Sequence, residues 1–153
     1  MARPMPDTVA HLVDVYAYRR SGPSHEFLLL RRSPGVVYAG DWRMVGGKIR
    51  HGEKAWQAAR RELEEETGCP PVLMWTVPSV NVFYEWQTDT VRVIPAFAAE
   101  IDGDPVLNHE HDAYQWLDND EACARLRWSE QRRLLGIVHA ELDRDIPVSW
   151  RVQ

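Results

Sequence analysis

The chain has 153 residues, 44% of them hydrophobic, with 18 Lys+Arg against 23 Asp+Glu and a net charge of -5. That length and apolar fraction suit one domain with a real core, expected to span residues 1–153, and exclude the broad basic field that holds polymeric nucleic acid by its phosphates. Cys69 and Cys123 stand far apart without CxxC spacing, so neither a zinc cluster nor a disulfide framework is expected, and a reducing, cytoplasmic setting is.

The opening MARPMPDT has no apolar core of the signal-peptide kind, and charged residues interrupt every later apolar run, so no membrane segment is expected. Val9 to Tyr18, loosely alternating and rich in Val and Tyr, predicts a half-buried strand. After the SGPS turn, Glu26 to Arg32 predicts a second strand pairing with the first, its end sending Arg31 and Arg32 to opposite faces. Pro34 and the five glycines Gly35, Gly40, Gly46, Gly47 and Gly52 keep the next stretch in loops and short strands. A helix follows from near Lys54, closed by Gly68 with Pro70 and Pro71 beyond it. Two long strands around a turn at Thr88 and Asp89, a short strand at Ala113–Leu117, a short helix in DNDEACARL and a last helix from Ser129 to Arg144 complete the chain. The buried side of that last helix is expected to carry Leu134, Leu135, Ile137, Val138 and Leu142. The pattern suggests an α/β fold, a mixed sheet packed between helices.

The stretch RELEEETG places four carboxylates in five residues at the end of the first helix. At about 100° per residue, Glu62, Glu65 and Glu66 share a side with Ala55, Ala58 and Ala59, while Gln57, Arg60 and Glu64 lie opposite. The small alanines mark the side that packs on the sheet, so three carboxylates are expected to face the protein. Like charges repel there and meet the negative end of the helix dipole, each effect costing roughly a few tenths of a kcal/mol. A cation would offset this, and clustered carboxylate oxygens suit a hard divalent ion. Glu64 needs no such explanation, since Glu is a good helix former.

From Gly47 to Cys69 the residues GKIRHGEKAWQAARRELEEETGC resemble the signature of the Nudix hydrolases, carried here by Gly47, Glu53, Arg61, Glu62, Leu63, Glu65, Glu66 and Gly68. Cys69 stands where the pattern has an aliphatic residue; a buried Cys is a small hydrophobe. The resemblance implies an α/β/α sandwich with a mixed β-sheet and a loop-helix-loop that holds Mg²⁺, or Mn²⁺ in its place, against a diphosphate. It implies Glu62, Glu65, Glu66 and the Gly46 carbonyl as metal ligands, with Gly47, Glu53, Arg61 and Gly68 supporting the motif. Glu65 and Glu66 are catalytic in that reading, with Glu110 as general base or added ligand. Arg31, Arg32 and Lys48 are the candidate substrate-binding cations. The stretches WRMVGGKIRHGE, EHDAYQWLD and RWSEQ look like the dihydroneopterin triphosphate pyrophosphohydrolase branch.

The implied reaction is attack of water on a nucleoside-diphosphate-like phosphoanhydride. Dihydroneopterin triphosphate or a nucleoside triphosphate comes first, then dinucleoside polyphosphates, then ADP-ribose. A homodimer is an assembly that family members often adopt. A non-catalytic nucleotide-binding module would be expected to lack some carboxylates, and none is missing. A zinc protein built on His109 and His111, which as His-any-His on a strand would share a face, is the remaining class. Trp42, Trp116 and Trp128 flank the motifs. Phe83, Tyr84 and Trp86 lie where a strand could line a ring pocket, and Trp56 is expected to pack.

Overall fold

The structure, a computed structural model, describes residues 5–152. Its centre is a hairpin-paired strand, β7 (Thr90–Glu100), antiparallel to β6 (Leu73–Glu85) and parallel to β1 (Asp7–Val9) and β2 (Leu12–Ser21). The run expected as one strand from Val9 to Tyr18 is therefore two. Asp7 faces Thr90 while Asp14 faces Ala96, so one extra residue is accommodated between them. At the break the His11 carbonyl turns away and accepts from the Ile49 amide at 2.8 Å.

Strand β2 changes partners along its length. Its second half pairs antiparallel with β3 (Ser24–Arg32), as expected, whereas its first half pairs with β5 (Val45–Lys48), setting Asp14 opposite Gly46. Strand β3 diverges to take up β4 (Trp42–Arg43) and β8 (His111–Leu117), completing an eight-stranded mixed sheet. The parting of β3 from β5 opens a cleft, and the site lies in it.

Period-two alternation sorts the core into two layers. Tyr16, Tyr18, Phe27 and Leu29 face Trp75, Leu134, Leu135 and Val138, whereas Val13, Val15, Ala17, Leu28 and Leu30 face Ala58, Ala59 and Leu63. The first layer is covered by α2 (Asn119–Arg125) and α3 (Ser129–Leu142), the second by α1 (Ala55–Thr67). This is the expected α/β/α sandwich. Within the first layer Trp75 Nε1 donates to the Tyr18 hydroxyl at 3.1 Å, so the largest buried ring also has its polar atom satisfied. Ile137 and Leu142 are only partly buried, and the inward face of α3 also carries Gln131.

Helix α1 starts after Lys54 and ends at Gly68, whose φ of 70° lets its amide reach the Glu64 carbonyl at 2.8 Å. Its inward face is rotated from the one expected. Leu63 and Thr67 are buried alongside Ala58, Ala59 and Glu66, which centres that face on the Leu63 side and leaves Glu65 43% exposed at the rim. Two of the three carboxylates turn inward, not three. His109 and His111 do not share a strand face either: His109 is exposed in a turn, and His111 is the buried first residue of β8. Among the described residues no helix is long and apolar enough to cross a membrane.

Replacing Leu63, fully buried under the sheet, with Ala should cost about 2–5 kcal/mol in denaturant unfolding. Glu64→Gln, on the exposed face, should stay within about 0.5 kcal/mol of the parent in the same experiment.

Candidate active site

The guanidinium of Arg61 ties the glycine-rich loop to the helix. Its Nε and Nη2 donate to the two oxygens of Glu53 at 2.8 and 2.9 Å, a bidentate charge-assisted pair. Nη2 also donates to the Lys48 carbonyl at 2.8 Å, and Nη1 donates to Glu62 at 2.8 Å and to Glu65 at 3.2 Å. Hydrogen bonds from Arg61, aided by the Arg50 amide, draw the Glu53 carboxyl down to about 2, and Glu53 in return raises the Arg61 pKa.

Glu66 is 1% exposed, and its Oε2 accepts from the Gly46 amide at 3.0 Å. Burial, then the neighbouring Glu62 charge, pushes its pKa well above the usual carboxylate range; burial also raises that of Glu62. The Glu62 carboxylate lies against the backbone of Gly47, where a Cβ would fall 2.2 Å from its Cδ. Only glycine leaves that space. Glu66, Glu110 and His111 each offer a ligand atom within 4.8 Å of the others. His111 Nδ1 has no hydrogen-bond partner and stands 3.9 Å from Glu66 Oε1, too far for a bond between them. Burial, followed by the charges of Arg32 and Arg43, lowers the His111 pKa to about 4, so its ring is neutral near pH 7 and has a lone pair to offer. Desolvated carboxylate oxygens with surplus negative charge and one neutral imidazole fit a divalent cation.

The cleft holds about 610 Å³ and has two unlike ends. Glu62, Glu66, Glu110 and His111 stand at one, joined by Arg32 and Lys48. Arg32 approaches Glu110 at 3.6 Å. The other end is walled by Phe83, Tyr38 and Trp128, and Asp14, Asn81 and Gln131 also line the cleft. Trp128 meets Tyr38 edge-on at 5.1 Å and Phe83 at 5.9 Å, and Arg43 lies over both the Tyr38 and Trp128 rings at 4.9 and 5.1 Å.

Of the candidates named from sequence, Gly46, Gly47, Lys48, Arg32, Glu62, Glu66 and Glu110 line this one cleft. Glu65 is held at the rim by Arg50 and Arg61, and Arg31 points elsewhere, donating to Asp112 at 2.8 Å and lying over Trp42. Trp116 is packed beneath Arg19, and Tyr84 and Trp86 are exposed. Asp14, Asn81, Gln131, Arg43 and the inward role of His111 were missed. A signal for two of them was available: Asp14 shares its side of β2 with Tyr16 and Tyr18, and Gln131 sits one turn before Leu134 and Leu135, polar letters on apolar faces.

The NUDIX domain model matches residues 10–135. A Myxococcus xanthus octanoyltransferase is 35% identical over 123 residues, 74% of this chain, although the chain spans only 32% of that protein. A rat asymmetrical bis(5'-nucleosyl)-tetraphosphatase is 33% identical over 118 residues, 74% of this chain and 78% of the relative. Among solved structures, an Escherichia coli dihydroneopterin triphosphate pyrophosphohydrolase superposes with a TM-score of 0.69 at 21% identity, covering 91% of this chain and 99% of its own.

Gly47→Ala should drive Glu62 off the loop and weaken Mn²⁺ affinity, read by calorimetric titration, about 10–100-fold while the protein stays folded. Glu53→Gln should lower the melting temperature at pH 7. Because the folded Glu53 pKa is depressed, that stabilisation is present above about pH 4.5 and lost as pH falls toward 2. The gap between variant and parent should therefore close on acidification.

Proposed function

The chain belongs to the NUDIX family of phosphoanhydride-cleaving hydrolases, and from that premise we propose that it is a Mg²⁺-dependent pyrophosphohydrolase of a nucleoside triphosphate or of dihydroneopterin triphosphate. One observation carries the reading: buried carboxylates, a neutral histidine and two cations occupy one end of a cleft whose other end is aromatic. Such a cleft suits a molecule with a polyphosphate at one end and a flat ring at the other. The 33% identity to the rat tetraphosphatase supports a second reading, a dinucleoside polyphosphate.

Glu62, Glu65, Glu66 and the Gly46 carbonyl would hold the divalent ion, with His111 beside them. When bound, that ion supplies neutralisation of the phosphate charge. Glu65, bonded to Arg50 and Arg61 at 3.2 Å each, would have to give up those contacts to join the set. Arg61 meanwhile keeps Glu62 turned toward the loop through their 2.8 Å bond. Arg32 and Lys48 hold non-bridging phosphate oxygens from the open side. Glu110 is partly exposed and 3.6 Å from Arg32; it takes the proton from the attacking water. The ring end fixes where along the phosphate chain the water attacks.

With Mg²⁺ and a panel of dihydroneopterin triphosphate, nucleoside triphosphates, diadenosine polyphosphates and ADP-ribose, one of the first two should release pyrophosphate. Glu66→Gln and Glu65→Gln should each cut kcat about a hundredfold or more, and Glu64→Gln should change it less than about twofold. Full activity in Glu66→Gln would remove the metal assignment. No turnover of any panel member by folded protein would remove the hydrolase reading.

A further inference from the structure

Glu110 sits in the loop of residues 101–110 that joins β7 to β8, yet its role as base requires a set distance from carboxylates carried on α1. Its own side chain does not fix it. The carboxylate is 39% exposed, and Arg32 stands 3.6 Å away, too far for a hydrogen bond. Both of its backbone groups are held instead. The Glu110 carbonyl accepts from the Ser33 amide at 2.9 Å, just beyond the end of β3, and the Glu110 amide donates to Asn108 Oδ1 at 3.0 Å. The other end of that side chain leaves the loop: Asn108 Nδ2 donates to the Glu65 carbonyl at 3.2 Å, across 43 residues of sequence. A backbone amide only donates and a backbone carbonyl only accepts, so these two partners fix which way the Asn108 amide points.

The Glu65 carbonyl belongs to the last turn of α1, where a helix leaves its carbonyls without intrahelical donors. The loop supplies them. Besides Asn108, the Val106 amide donates to the Thr67 carbonyl at 2.8 Å, and Leu107 packs on the core layer that α1 covers, so the loop lies along the helix end. Resting on the reading of Glu110 as base, we propose that Asn108 is a positioning residue. Its one side chain spans from the helix turn bearing Glu62, Glu65 and Glu66 to the Glu110 backbone, and so sets the base relative to the carboxylates that hold the metal. A turn within the loop needs only the acceptor, whereas a bridge needs both ends. Aspartate separates the two: it keeps an acceptor for the Glu110 amide, loses the donor to Glu65, and brings negative charge to the negative end of the helix dipole.

The test compares the parent with Asn108→Ala and Asn108→Asp, below the melting temperature of all three. One arm measures kcat and KM with Mg²⁺ and the panel substrate that the parent turns over; the other follows amide hydrogen exchange, residue by residue, in the metal-free protein by NMR. Both variants should lower kcat about tenfold or more with KM within about twofold, because a misplaced base costs chemistry rather than binding. In a Glu110→Gln background, Asn108→Ala should lower kcat by less than about a further twofold. The Glu110 amide should exchange about tenfold or more faster in Asn108→Ala and stay protected in Asn108→Asp, whereas the Val106 amide should exchange faster in both as the loop loosens from the helix. Lower melting temperatures with kcat unchanged would reduce Asn108 to a helix cap and overturn the proposal. Parent-like kcat in Asn108→Asp beside an impaired Asn108→Ala would reduce it to a local turn, with the same consequence. Full kcat in Glu110→Gln, or no turnover by the parent, would remove the base or hydrolase reading, and the Val106 exchange in Asn108→Asp then decides the bridge: faster keeps it, unchanged overturns it.

Discussion

Everything at the phosphate end depends on one guanidinium holding a loop to a helix. Arg61 spends its five N–H groups on Glu53, Glu62, Glu65 and the Lys48 carbonyl. Carboxylates three and four apart on a helix would otherwise repel and splay. Here a single planar donor gathers Glu62 and Glu65, while its fork to Glu53 fixes the loop that carries Gly46 and Gly47. Lysine, with one ammonium and no fork, could not hold this many acceptors in set directions.

The negative charge gathered in this way is held in an unfavourable setting. Glu66 is buried against the Gly46 amide with Glu62 and Glu110 as like-charged neighbours. A fold keeps such a group when something of opposite charge joins it, and the same desolvation that raises the carboxylate pKa values sharpens their attraction for a cation. His111 belongs to this set by position, neutral because it is buried beside Arg32 and Arg43.

The cleft itself follows from sheet topology. Strand β2 pairs with β3 at one end and β5 at the other, and the space between the diverging strands is where the loop, α1, β6 and the start of α3 all reach. A polyphosphate and a ring can therefore be read by separate groups, carboxylates and cations at one end and aromatic faces at the other. The exchange of partners by one strand keeps the two ends apart.

The phosphate end was legible in the sequence because its residues lie within one contiguous stretch, Gly47 to Cys69, where local spacing on a loop and a helix fixes their relation. The α/β/α layering was legible too, since period-two strands and the Leu63 and Leu134 faces encode which side is buried. Rotation of α1 was misjudged by part of a turn: alanines mark a close approach but not its centre, and Leu63 and Thr67 set that. The rest of the cleft was decided only by the folded chain. Asp14, Asn81, Trp128 and Gln131 come from β2, β6 and the start of α3, and each is an ordinary polar or aromatic letter in its own segment. Their meaning arises from contacts between strands and helix that are remote in sequence, and no local periodicity records which side chains the closing of the sheet will bring face to face.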